Sequence, residues 1–172
     1  MKKLIVMALI VGMASLLKYN SEEYIVIPNE AIRLRVIASS NNEADQSLKR
    51  EVKRNLTKEL FPLIKEARDI NEVRENIRSN FKDLSLNIKE VTKDDNYQIN
   101  YGKNYFPEKT YKGVKYPAGQ YESLVVKLGD GAGKNFWCVL FPPLCLLEGE
   151  KDKANDVEYK FLVKDILKKY FQ

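Results

Sequence analysis

Glu108, Glu122 and Asp130 are the acidic residues of a stretch otherwise rich in Tyr and Lys. Paired carboxylates beside aromatic rings are what polysaccharide-cleaving enzymes use. Nothing in their spacing sets a separation, however, and sparse carboxylates among lysines are more often ion-paired or solvated. Ser123 with Lys127 has no Ser-Lys motif around it. Gly129-x-Gly131-x-Gly133-Lys134 has the outline of a phosphate loop. A Walker loop needs a longer gap between its glycines, Ser or Thr after the Lys, and a helix to follow. Here Asn135 follows Lys134 and the next segment reads as a strand. The chain has no histidine, which removes Ser-His-Asp and Cys-His pairs and any His-containing zinc site. Its two cysteines, with no Cys-x-x-Cys, make a poor metal site or redox motif. No catalytic residue, cofactor or metal is expected.

What is left is contact chemistry. Phe136, Trp137, Phe141, Pro142 and Pro143 are large, stiff residues that anchor a partner at small entropy cost; they serve equally well as core. Arg33 and Arg35 share one face of a candidate strand, where they could grip an acidic partner or form surface ion pairs. The formal net charge is +5. Its excess lies between Tyr97 and Leu147, where lysines 103, 109, 112, 115, 127 and 134 face only three carboxylates. A basic, tyrosine-rich surface suits an anionic polymer or lipid; a solvated lysine face is the commoner explanation.

These residues need elements to hold them. Ile32-Arg33-Leu34-Arg35-Val36-Ile37-Ala38 alternates as a strand does. Ser39 to Asn42 supplies capping chemistry for a helix in which Leu48, Val52, Leu56 and Leu60 recur at i+4, and Pro62 should kink or end it. Asp69-x-x-Glu72 opens a second helix, and Ile70, Val73, Ile77, Phe81, Leu84, Ile88 and Val91 predict one continuous stripe. Tyr97, Ile99 and Tyr101 read as a strand. Lys103 to Gly119 reads as a loop carrying tyrosines 105, 111 and 116. Gln120–Leu128 and Phe136–Phe141 read as a hairpin around the glycine turn, with Pro142 and Pro143 stopping it. Phe161, Leu162, Ile166, Leu167 and Tyr170 predict a C-terminal helix. The fold class is therefore α+β: a mostly antiparallel sheet of about four strands, two long helices on one face, and a C-terminal helix.

Met1-Lys2-Lys3 before the apolar run Leu4 to Leu17 has the layout of an export signal, with Gly12-Met13-Ala14 as a cleavage site. The run is short for a membrane span of ~20 residues. Residues 1–17 are thus expected to be a signal peptide or N-terminal membrane anchor, 18–31 a linker with a short edge strand near Tyr24–Ile27, and 32–172 a single domain. In an exported chain, Cys138 and Cys145 are expected to form a disulfide across the Pro-Pro bend rather than remain two buried thiols.

Gly129 to Cys145 closely resembles the signature of the stage II sporulation protein R family. Tyr116-Pro117-Ala118-Gly119-x-Tyr121 matches too, as do Ile32 to Ala38 and Asp45-Gln46-x-Leu48-Lys49. The family tends to carry two tryptophans where this chain has Phe136-Trp137, and Asn-Ser-Asp where it has Ser39-Ser40-Asn41. The resemblance implies an intercellular signal made in the forespore and exported into the intermembrane space. There it would activate a membrane-embedded aspartic protease that cleaves the precursor of a mother-cell sigma factor. Its partner would be that protease, with membrane contact through the N-terminal segment at least transiently, and no nucleic acid. The candidate partner-binding residues are Tyr116, Pro117, Gly119, Tyr121, Asn135, Phe136, Trp137, Pro142 and Pro143. The competing expectation is an exported cell-wall hydrolase or wall-polymer-binding domain.

Overall fold

A period of two along Ile32–Ile37 sends Ile32, Leu34 and Val36 to one side and Arg33, Arg35 and Ile37 to the other. The computed structural model describes residues 24–93, 96–147 and 155–171, together with Met7. The expected signal or anchor at 1–17 lies outside the described residues, Met7 apart. Ile32–Ile37 forms strand β2, preceded by the short β1 at Ile25–Val26. Both flanks of β2 are paired, and nearly all of it is buried.

Three helices follow. In α1, Glu43–Lys65, the Oδ1 of the cap residue Asn42 accepts from the Asp45 N–H at 2.8 Å, and Glu43 and Asp45 meet the positive dipole end. Val52, Leu56, Leu60 and Ile64 are buried at the predicted spacing. Pro62 does not end the helix at once; the chain runs on to Lys65. Its missing N–H removes one bond in the final turn, and the burial of Ile64 holds that turn in place.

The predicted single stripe from Ile70 is two helices, α2 at Ile70–Ser79 and α3 at Phe81–Thr92. The chain breaks at Asn80, with φ −94° and ψ 4°. Ser79 Oγ bonds the Glu75 carbonyl at 2.7 Å and Asn80 Nδ2 bonds the Asn76 carbonyl at 2.8 Å. Such side chains compete with the helix ladder. The stripe survives the break because Val73, Ile77, Leu84 and Ile88 still face the sheet.

The remaining strands are β3 (Tyr97–Phe106), β4 (Lys109–Tyr111), β5 (Val114–Tyr116), β6 (Gly119–Leu128) and β7 (Asn135–Phe141). They build a four-stranded sheet in the order β3-β6-β2-β7 and a three-stranded sheet in the order β1-β5-β4. In the larger sheet β3 pairs antiparallel with β6, β2 parallel with β6, and β2 antiparallel with β7.

The expected hairpin is corrected here: β6 and β7 do not pair, because β2 lies between them. The glycine loop instead bridges one intervening strand, a span of roughly 10 Å. It closes over the end of β2, with Ala132 N–H donating to Ser39 O and Gly133 N–H to Ala38 O, each at 2.9 Å. A strand with apolar residues on both faces gains most by taking the middle position, where both edges and both faces are covered.

The stretch Lys103–Gly119 is also more regular than expected, since it holds the end of β3 and the β4–β5 pair. Within the 18–31 stretch expected as linker, Ile25 and Val26 pair with Val114 and Lys115 of β5, and Ile27 and Ala31 are buried.

The two faces of the large sheet carry two cores. Ile32, Leu34, Val36, Leu124, Val126 and Leu140 pack under α1–α3. On the other side Val139 joins Ile27, Val114, Leu144, Tyr159 and Val163. Tyr159 and Val163 come from the last helix, α4 at Asp156–Phe171, as predicted for the C-terminus. The fold is α+β, with one mixed sheet between helices and a smaller sheet.

Candidate functional site

On the non-helical face of the large sheet, alternation brings Arg33 and Arg35 of β2 into line with Tyr121 of β6 and with Asn135, Trp137 and Val139 of β7. The register places Arg35 opposite Trp137 and Arg33 opposite Val139. Arg35 Nε donates to Asn135 Oδ1 at 2.9 Å, and its guanidinium sits 4.5 Å from the Trp137 ring centre. Arg33 is 3% exposed. Its guanidinium lies 3.3 Å from the Tyr121 ring centre and 5.3 Å from that of Phe106. Phe106 stands edge-on to both Tyr121 and Trp137, at 6.1 and 5.2 Å. Burial pushes both guanidinium pKa values down, and for Arg33 the neighbouring Tyr121 opposes that shift. Arginine remains charged regardless. The result is a ladder in which cations alternate with ring faces, an arrangement worth up to ~2 kcal/mol per contact when desolvated.

Beside the ladder lies a cavity of about 350 Å³, walled by Arg33, Phe106, Tyr111, Tyr116, Trp137 and Leu144, with Lys109 and Thr110 among its other lining residues. Tyr116 is half-buried, and its hydroxyl lies 3.1 Å from that of Tyr159. Tyr121 is 2% exposed and donates to the Pro117 carbonyl at 2.9 Å, which ties the Tyr116-Pro117 turn to the sheet. Gly119 lies close enough to Tyr121 that a Cβ there would come within 3.3 Å of its ring.

Six of the candidate partner-binding residues, Tyr116, Pro117, Gly119, Tyr121, Asn135 and Trp137, thus gather on or beside this face. Phe136 goes to the opposite face, where it packs on the helical core and Lys53 Nζ lies 4.5 Å from its ring centre. Pro142 and Pro143 are buried in the turn after β7, and Pro143 lines a small crevice with Thr57, Leu60 and Ile64 of α1. Cys138 and Cys145 are joined, with Cα atoms 5.6 Å apart, so the turn is fastened to β7. Phe106 escapes a sequence reading centred on the glycine segment. Its only signal is its place at the end of the alternation that starts at Tyr97.

The carboxylates do not converge. Glu122 points to the helical side, where it accepts from Arg74 Nε at 2.8 Å and Tyr101 Oη at 2.7 Å. Burial and the bond to Glu122 push the Tyr101 hydroxyl far above its ordinary value. Glu108 pairs with Lys115 at 3.1 Å. Asp130 is exposed in the turn beyond the far end of β6, and that end, Leu128, is six positions from Glu122, roughly 20 Å along the strand. In the glycine segment the N–H groups of Gly129, Gly131, Ala132 and Gly133 donate to the carbonyls of Asn96, Leu128, Ser39 and Ala38, and a strand follows rather than a helix.

Comparison with known proteins bears on the same elements. The profile of the family described as Stage II sporulation protein R (spore_II_R) matches residues 28–151, which include all four strands of the large sheet and α1–α3. A curated protein named Stage II sporulation protein R, from Bacillus subtilis (strain 168), is 40% identical over 134 residues. That match covers 76% of this chain and 60% of the relative, so the chain spans less than two thirds of the relative's length. No solved structure matches the chain. The chain belongs to the Stage II sporulation protein R family, and membership supports a role in sporulation.

Proposed function

We propose that this protein is an exported sporulation signal that activates a membrane-embedded aspartic protease by direct contact, and so triggers processing of a mother-cell sigma-factor precursor. In this reading it leaves the forespore through its N-terminal segment and acts in the intermembrane space. The observation that supports contact rather than chemistry is the half-buried pair Arg35 and Trp137, backed by the buried Arg33 and Tyr121 on three neighbouring strands and bordering a cavity. Rigid aromatic and arginine side chains are the usual anchors of protein interfaces. An activator of this kind works by binding the active arrangement of its partner better than the inactive one.

The test is reconstitution in a non-sporulating host that co-expresses this chain, the candidate protease and the sigma precursor. Cleavage of the precursor should require this chain. Equal cleavage in its absence sinks the proposal. The wall-hydrolase alternative needs two carboxylates across one bond, and the positions of Glu108, Glu122 and Asp130 give it no support.

A further inference from the structure

Arg33 carries a charge whose hydrogen-bonding capacity is only partly used. Its Nε and Nη2 are buried, with no hydrogen-bond partner among the described residues. These two nitrogens form one edge of the guanidinium, the edge that can hold both oxygens of a carboxylate. The rings of Tyr121 and Phe106 compensate the cation in part but accept no conventional hydrogen bond. Keeping such a group in the interior is unfavourable unless an acceptor reaches it.

The adjoining cavity, about 350 Å³, is at the small end of the ~300–1,000 Å³ usual for ligand sites. Its walls are chiefly aromatic and aliphatic, and Arg33 and Lys109 give it positive charge. It therefore fits an anionic group attached to an apolar body of one or two side chains. Two further features favour a polypeptide as the carrier. Lys109 and Thr110 belong to β4, the end strand of the smaller sheet, and Trp137 and Val139 to β7, the end strand of the larger one. End strands offer their outer backbone to an incoming extended chain.

We propose that this cavity receives a carboxylate carried beside an apolar side chain on an extended segment of the partner protein, with Arg33 as its bidentate partner once the guanidinium edge, sealed from the cavity in the free protein, turns toward it. The identity of the carrier rests on the activator reading; the carboxylate site itself does not.

Trp137 is the only tryptophan and lines the cavity, so its fluorescence reports occupancy. The full chain is titrated with acetyl-Leu-Phe bearing a free C-terminal carboxylate, with the corresponding amide, and with 4-phenylbutyrate. The peptide acid should bind roughly tenfold or more tightly than the amide. Arg33→Met should erase that preference while the thermal midpoint holds, because an apolar side chain of similar length leaves nothing unpaired. Arg33→Lys, which keeps the charge but loses the fork, should weaken the preference. Equal binding of acid and amide, no response to either, or a preference that survives Arg33→Met overturns the site. If Arg33→Met does not fold, an undiminished preference in Arg33→Lys overturns the bidentate role. Binding of 4-phenylbutyrate as tight as the peptide acid overturns the polypeptide carrier and gives the site to free small carboxylates. No protease is present in the titration. A chain that binds the peptide acid yet leaves precursor cleavage unchanged refutes the activator reading alone.

Discussion

The backbone N–H of Gly133 donates to the carbonyl of Ala38 at 2.9 Å, and a methyl group placed on Gly133 would strike the Ser40 carbonyl. The obstacle is backbone at the end of β2, so no rotamer change relieves it. Gly133→Ala should cost about 3 kcal/mol, the upper end of overpacking effects. At Gly131, with φ 67°, the nearest atoms belong to the Lys127 side chain. Gly131→Ala should cost less, roughly 1–2 kcal/mol from the left-handed backbone. Urea denaturation of the two variants checks the order; a larger loss at Gly131 would contradict the capping role of the loop.

The bond between Cys138 and Cys145 closes a short loop, with a sequence separation of 7. In the chain-entropy model such a loop contributes ~2 kcal/mol. The Cys138→Ala/Cys145→Ala pair should therefore fold with its unfolding free energy, read from urea denaturation, lowered by about that amount. Mass spectrometry of the parent chain without reductant should show both sulfurs blocked to alkylation.

Trp137 is half-buried against Phe106 and Arg35. Trp137→Ala should reduce precursor cleavage in the reconstituted system at least tenfold while costing no more than ~2 kcal/mol of stability. Tyr105, 58% exposed on the helical side, is the control, and its change to Ala should leave both properties intact. Equal effects at the two positions would remove Trp137 from the contact surface.

Alkaline pH should destabilise the fold. Burial pushes the Tyr159 hydroxyl well above its ordinary value, assisted by its bond to Tyr116, and burial also raises Tyr116. Below pH ~10 these tyrosines are protonated in both folded and unfolded chains, and their contribution is complete. Above it the unfolded chain releases its protons first, so stability falls as pH rises. Tyr159→Phe should flatten the decline between pH 10 and 11 by up to ~1.4 kcal/mol per pH unit. Urea midpoints across that range give the slope.

Glu122 is held between Arg74 and Tyr101, with its side chain 22% exposed. Glu122→Gln should cost about 1 kcal/mol through the weakened charge-assisted bonds. Glu108→Gln, at a half-exposed pair with Lys115, should cost little. Neither should lower precursor cleavage once the chain is folded. Loss of activity in a folded Glu108/Glu122/Asp130 triple variant would revive the hydrolase.

Much of this architecture can be read from local chemistry. The two-residue period of Ile32–Ile37 assigns Leu34 and Val36 to one face and both arginines to the other. Val52, Leu56 and Leu60 announce α1, and Asn42 caps it as its side chain allows. The opposite orientation of Phe136 and Trp137 follows from alternation alone. The break at Asn80 leaves no mark in the apolar pattern, because the stripe keeps its spacing on both sides of it.

Other features depend on the whole chain. Local sequence sets Gly129–Lys134 as a turn between two strands but cannot say whether those strands pair, because strand order reflects burial summed over the entire sheet. Only the folded structure inserts β2 between β6 and β7, and that insertion brings Arg35 against Trp137. Only the tertiary structure lays Tyr121 and Phe106 over Arg33 and brings Tyr111 and Tyr116 of the second sheet beside it, which turns a surface cation into a buried one. The residue types, their faces and the contact chemistry came from sequence. Which of them became a site was decided by tertiary packing, since desolvation and cavity shape are set by residues distant along the chain.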